Sequence, residues 1–275
     1  MKKKMLREIE ARLGEGYKAE EHEVKKNNGI VLHGIVVHKE GENIAPQIYI
    51  DDVPEDKVVD YVVDKYNEVK DNKNGMYPDI DEVRRKIMTK EGLLENVVPV
   101  LVNREKNEAK LKEIVHRPFL DMEITFKIDM GNSGFVTIDN KLLKHVGISD
   151  EELYDAAMEN VQGCGETVEL SSLVPEFMRE VEGKDMPPVL ILTNEEKLLG
   201  AGMIFDKEAI EKLVEDIGDF FILPSSIHEV LIVPTKCGKA KALRKMVQDV
   251  NTTLDDRDYL SDNVYICKNG KIEVA

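Results

Sequence analysis

The sequence contains no tryptophan, few aromatic residues (5%) and no apolar run longer than about six residues, far below the roughly 20 that span a bilayer. No membrane-spanning helix is expected. The opening MKKKMLREIEARL lacks the apolar core of a signal peptide, so the expected compartment is the cytoplasm. Cysteine is scarce as well. Cys164, Cys237 and Cys267 are odd in number, lie far apart and form no CxxC pair, which argues against a disulfide framework and against a zinc site. Positive charge is in deficit: 38 Lys and Arg stand against 54 Asp and Glu, a formal net charge of -16. Affinity for a phosphate backbone comes from clustered cations releasing counterions, so direct nucleic-acid binding is not expected. Missing too are the spacings of a phosphate-binding P-loop, a dinucleotide-binding GxGxxG, an HExxH zinc helix, a GxSxG elbow and an EF-hand loop. No cofactor and no metal is expected.

What remains describes a globular chain. Hydrophobic residues at 42% of 275 positions, mostly Val, Ile and Leu, supply a core large enough for two domains. Met5, Leu6, Ile9 and Leu13 share one helical face, and Gly14 and Gly16 end that helix. Alternation from Tyr17 to Asp52, broken at Asn27 to Gly29 and at Gly41, predicts three antiparallel strands. A second helix follows Pro54, with Val58, Val59, Val62, Val63 and Tyr66 as its stripe. The polar, turn-rich 71–79 reads as a linker, giving an N-terminal α-β-β-β-α domain over 1–75 and a C-terminal domain over 76–275.

Beyond the linker, a helix around Ile80 to Met88 precedes GLLENVVPVLVN, which reads as one or two strands. HRPFLDMEITFKIDM and GFVTID read as β runs, Ser149 and Glu152 as a capping box, and the region around Phe177 as a short helix. VLILT and LLGAGMIF read as paired strands, and Asp206 opens the helix KEAIEKLVEDIG. The best-defined stretch is DFFILPSSIHEVLIVP, two apolar runs flanking a Pro-Ser-Ser turn, which predicts a buried hairpin. The expected class is α+β, with antiparallel sheets built from strand-strand-helix units and helices packed on one face.

Candidate reactive residues gather at two places. At the hairpin end, Ser225, Ser226, His228 and Glu229 are the types that a nucleophile, base and orienter require. Neighbouring strand positions point to opposite faces, however, so the favoured reading has the serines satisfying turn amides and His228 capping the core edge. The second place is the 116–123 strand, where His116 is followed by Arg117, Asp121 and Glu123 on one face. That row could bind a metal or a cationic group, but the favoured reading is a solvated sheet face with one internal ion pair. Cys164, between glycines in QGCGE, has no His nearby in sequence, while Cys237 and Cys267 read as packing residues. Lys236, Lys239, Lys241, Arg244 and Lys245 form the one basic run, readable as an anion site or as an exposed helix face. His22, His33, His38 and His145 have no metal-ligand spacing.

The segments LVNREKNEAKLKEIVHRPFLDMEITFKI, ISDEELYDAAMENV, VLILTNEEKLLGAGMIF and VNTTLDDRDYLSDNVYIC, with the hairpin stretch, resemble a domain-of-unknown-function family of clostridial gut bacteria and their mobile elements. The likeness runs from about residue 95 onward. The second half is more distantly similar to an uncharacterised bacillar family. Neither resemblance implies an activity; what they imply is a bacterial or mobile-element protein. Two functions follow as expectations. The first is a non-enzymatic interaction or regulatory protein with a protein partner, acting through its acidic surface, including antagonism of a nucleic-acid-binding or host-defence protein. The second is a hydrolase whose site joins the 116–123 strand to the 225–229 hairpin, with His116 or His228 as base and Asp121, Ser226 or Glu229 beside it.

Overall fold

The computed structural model describes residues 2–42, 45–71, 80–131, 134–170, 189–224 and 226–275. Ser225, the region around Phe177 and the 72–79 part of the expected linker lie outside the described residues. The chain divides into two compact units, Met1–Ile80 and Asp81–Ala275. Among the described residues no helix is long and apolar enough to cross a membrane.

In the first unit, α1 (Lys2–Leu13) leads into β1 (Tyr17–Lys25), β2 (Val31–Lys39) and β3 (Gln47–Tyr49), and α2 (Val58–Asp71) closes the unit. The strands form an antiparallel sheet in the order β1-β2-β3. Asn28 (φ 55°) and Gly29 (φ 73°) occupy the left-handed region that the tight turn between β1 and β2 requires. Both helices pack on one face of the sheet, where Ile9, Val62 and Tyr66 meet Ile35, Val37 and Ile48.

The second unit is an α+β body with two antiparallel sheets around one core. The smaller sheet follows α3 (Ile80–Met88) and α4 (Lys90–Asn96). It runs β4 (Val97–Asn103), β6 (Met122–Asp129), β5 (His116–Phe119), with β7 (Phe135–Thr137) also pairing β6. A short α5 (Glu108–Leu111) links β4 to β5; α6 (Asn140–Val146) and α7 (Asp150–Asn160) follow β7. The Ser149–Glu152 capping box is present at the start of α7. The larger sheet has six strands. β8 (Glu166–Glu169) and β9 (Leu190–Thr193) form one end, the hairpin β10 (Phe220–Leu223) and β11 (Val230–Pro234) the middle, and β12 (Tyr265–Lys268) with β13 (Lys271–Val274) the other end. Asp206 caps α8 (Lys207–Ile217), accepting the amides of Glu208 and Ala209, and also receives the Gly165 N–H at 2.8 Å.

Every residue of β10 is buried because both faces of the sheet are covered. Phe220 and Ile222 enter the main core, whereas Phe221 and Leu223 pack against Leu243 and Val247 of α9 (Ala240–Asn251). A strand buried on both sides reads as a continuous apolar run, which is why FFIL does not alternate. Each such side chain contributes about 1.5–3 kcal/mol of burial.

Three sequence readings are corrected. Residues 92–96 are helical, not extended, because Thr89 caps α4 through the Gly92 amide. LLGAGMIF is not a strand: Gly200–Phe205 forms a 3-10 turn. The 116–123 stretch is not one strand either. It reverses at Leu120 (φ 54°) and Asp121, so that Phe119 pairs with Met122 and Pro118 with Glu123. The expected row of Arg117, Asp121 and Glu123 therefore does not exist. No glycine or asparagine marks this turn. Arg104 holds it instead, its guanidinium donating to the carbonyls of Leu120 and Met122, each at 2.9 Å.

Candidate functional site

His116, Asp121, Glu123, Ser226 and His228 are each engaged in a local network. Glu123 is almost fully buried on β6, where it accepts Arg104 Nε at 2.6 Å and contacts His116 Nδ1 at 2.9 Å. Asp121, in the β5–β6 turn, accepts Ser261 Oγ at 2.8 Å, Asn263 Nδ2 at 3.0 Å and the hydroxyl of Tyr265. Partial burial opposes the Asp121 charge, yet the donors from Tyr265, Ser261 and Asn263 outweigh it and hold the carboxyl below its usual range. Tyr265, fully buried, is pushed well above the usual phenol range by desolvation and by the Asp121 charge.

At the hairpin end, Ser226 is buried; its Oγ accepts the His228 amide at 3.0 Å, a local side-chain turn. His228 Nδ1 accepts the Leu199 amide at 3.1 Å, and Nε2 faces Asp258 Oδ1 at 3.3 Å. With Nδ1 accepting, the ring proton sits on Nε2 and is donated to Asp258. Leu199 has φ 58°, a strained setting for leucine, and His228 is what fixes it. Glu229 is half-buried. Among the described residues, none of His116, Asp121 or Glu123 hydrogen-bonds to Ser226, His228 or Glu229, and no hydroxyl or thiol hydrogen-bonds to either imidazole. The 255–265 segment lies between the two groups: Ile227 N–H donates to Asp258, and Asn103 Nδ2 donates to Leu260.

Other candidates are similarly placed. Cys164 is exposed, but desolvation and then Asp206 push its thiol up, the opposite of an activated thiolate. Cys267 is buried and Cys237 packs beside α9. The basic run lies before and along α9, with Arg244 donating to the Ala275 carbonyl at 3.0 Å.

A cavity occurs in the first unit. An open cleft of about 1220 Å³ lies along α1 and the first turn of α2. Its floor is the helix-facing side of the sheet. Ala19, Glu21 and Glu23 alternate onto that side of β1, opposite Val37, Ile35 and His33 of β2. The apolar face thus turns acidic where the helices cease to cover it. His33 is held by Asp51 through its Nδ1 (2.9 Å) and its own amide (2.9 Å), with Glu23 at 3.7 Å from Nε2. Asp51 is drawn below the usual carboxylate range, chiefly by the His33 ring. Glu55, Asp56 and Asp60 form the far rim, and Lys4, Glu8 and Arg12 come from α1. Arg12 is paired with Glu8 at 3.1 Å and with Asp60. Half-buried Met5, Ile50, Val53 and Val59 line the same cleft.

Residues 1–268 match the model of a family of unknown function, DUF5688. The chain belongs to DUF5688. No curated protein and no solved structure matches it. The family covers both units of this DUF5688 chain, including the N-terminal cleft, whereas the likeness visible in the sequence began near residue 95.

Several functional groups of the DUF5688 chain escaped sequence reading. Arg104, Asp258 and Tyr265 are remote in sequence from the groups they hold, and nothing local marks them. The acidic floor did carry a signal: Glu21 and Glu23 continue the face begun by buried Ala19, where a covered strand would place apolar residues. Among the described residues no group of three His, Cys, Asp or Glu side chains has the arrangement to hold a metal ion.

Proposed function

We propose that this chain is a non-enzymatic interaction protein whose acidic surface engages a basic macromolecular partner. The observation that carries the reading is the N-terminal cleft, whose lining places seven carboxylates against Lys4 and Arg12. Charge of one sign in a concave surface focuses the field and accelerates capture of an oppositely charged partner. Part of this charge has a structural use, since Glu55, Asp56 and Asp60 complement the α2 dipole.

The engagement of His116, Asp121, Ser226 and His228 in fold-bracing hydrogen bonds supports a binding role over a hydrolytic one. The chain-wide charge of -16 and the resemblance to clostridial and mobile-element proteins support a finer version. In it, the acidic face shields the basic groove of a nucleic-acid-binding or host-defence protein; the clostridial and mobile-element likeness behind it runs from about residue 95 onward, and the bacillar one covers the second half. The test is retention of the full-length chain on immobilised basic protein at low salt and at about 1 M salt, where screening is within about 3 Å. Retention lost at high salt is the expected result. Equal retention on an acidic control protein contradicts it.

A further inference from the structure

We infer that the N-terminal cleft takes a short amphipathic segment of a partner protein, its basic side chains set against the carboxylates and its apolar side chains against the apolar residues of the same lining. This rests on the interaction reading above and assigns it a surface and an occupant.

Three observations choose that occupant. The first is size: about 1220 Å³ exceeds the roughly 300–1,000 Å³ of small-molecule pockets. A lone cation or a single side chain fills little of it. The second is mixed chemistry. Met5, Ile50, Val53 and Val59 pack against the core of the first unit and line the cleft half-buried, so an occupant gains by placing apolar groups there. A polyamine or a simple cation cannot use those residues. The third is that the charge comes from more than one element of the lining, with Glu21 and Glu23 on β1 and Glu55 and Asp56 on the turn before α2. Basic groups alternating with apolar ones match this lining, as in helix-in-groove and extended-peptide recognition. The charge also sets the polarity of the partner, because an acidic segment or a phosphate backbone would meet like charge.

Carboxylates outnumber the cations Lys4 and Arg12 in the lining, and some of them are paired. Arg12 is taken by Glu8 and Asp60, and His33 lies between Asp51 and Glu23. Glu55 and Asp56 are exposed on a 3-10 turn that buries none of its residues, so reversing their charge removes no core contact, and a thermal melt of the variant separates the lost α2 dipole contact from lost binding.

The experiment is a fluorescence-anisotropy titration of full-length protein against a labelled synthetic peptide of alternating Lys-Leu helical pattern. Wild type is compared with Glu55→Lys/Asp56→Lys and with a control of equal charge change, Glu211→Lys/Glu215→Lys, on the exposed side of α8. The cleft variant is expected to weaken binding at least about tenfold, the control less than about threefold, and spermidine to compete poorly. Equal weakening by both variants, or full displacement by spermidine, overturns the cleft assignment while leaving a diffuse acidic interaction in place. No binding of peptide or basic protein by wild type overturns both readings.

Discussion

Replacing Asp121 with alanine is expected to cost the C-terminal unit about 3 kcal/mol at neutral pH. The carboxylate sits in the β5–β6 turn of the smaller sheet and gathers Ser261, Asn263 and Tyr265, the last on β12 of the larger sheet. It therefore ties two sheets that share a core. Its removal strands the hydroxyl of a fully buried tyrosine, leaving only Ser261 Oγ at 3.1 Å, and frees Asn263 Nδ2. Hydrogen bonds to a charged group contribute roughly 1.5–3 kcal/mol, and a stranded buried donor costs about 1–3 kcal/mol more.

The same network sets a pH dependence. The folded-state pKa of Asp121 lies below its unfolded value, so its stabilisation is fully present above about pH 4 and is lost as pH falls through the folded pKa. Urea melts at neutral and acidic pH check both points. Wild type should lose part of its stability below about pH 4, and Asp121→Ala should lose correspondingly less. A variant that melts with wild type at neutral pH removes the carboxylate from its bracing role.

Gly202→Ala is expected to destabilise by about 3 kcal/mol, through overpacking rather than through lost contacts. A Cβ at this position would stand 2.5 Å from the Pro99 carbonyl oxygen on β4, a backbone atom that cannot swing aside. Gly200, two residues earlier, is as tight: its Cβ would meet Thr193 Oγ1, the His228 carbonyl at 2.6 Å and the Asn194 amide at 2.8 Å. Both glycines let the 3-10 turn thread between β4 and the β9–β11 end of the larger sheet. Thermal melts of Gly202→Ala beside an exposed-glycine control, Gly41→Ala, separate this close approach from helix or turn propensity. Gly41 has φ 84° and nothing within 4 Å of a built Cβ, so its substitution carries only backbone strain of about 1 kcal/mol.

These two positions show why some of the fold was legible and some was not. Where a local device and a periodic stripe agree, as at Ser149–Glu152 or at Asp206 before α8, the sequence names the element and its first residue. The two apolar runs at 220–223 and 230–234 are similarly self-declaring. The failures share another cause. Leu120 and Leu199 adopt left-handed backbone that leucine disfavours, and each is held by a distant partner, Arg104 for the first turn and His228 for the second. In a turn imposed from afar, the residue that takes the left-handed backbone is itself neither Gly nor Asn.

The candidate site divides in the same way. The reactive types at 116–123 and 226–229 were visible, but their partners Arg104, Asp258, Ser261 and Tyr265 were not. Those partners make the difference between a poised base and a bracing side chain. In the N-terminal unit the residues of the cleft were visible as a charged strand. Its concavity depends on how α1 and the first turn of α2 lie over the sheet, and spacing alone does not give that.

The most direct measurement is a paired one on His228→Ala, its melting temperature and its affinity for the basic amphipathic peptide. Loss of the imidazole frees the Leu199 amide and the Asp258 carboxylate in the C-terminal unit and touches nothing that lines the cleft. A lowered melting temperature with unchanged affinity is the predicted outcome. Unchanged melting with lost binding would place the functional surface at the hairpin end and contradict the account.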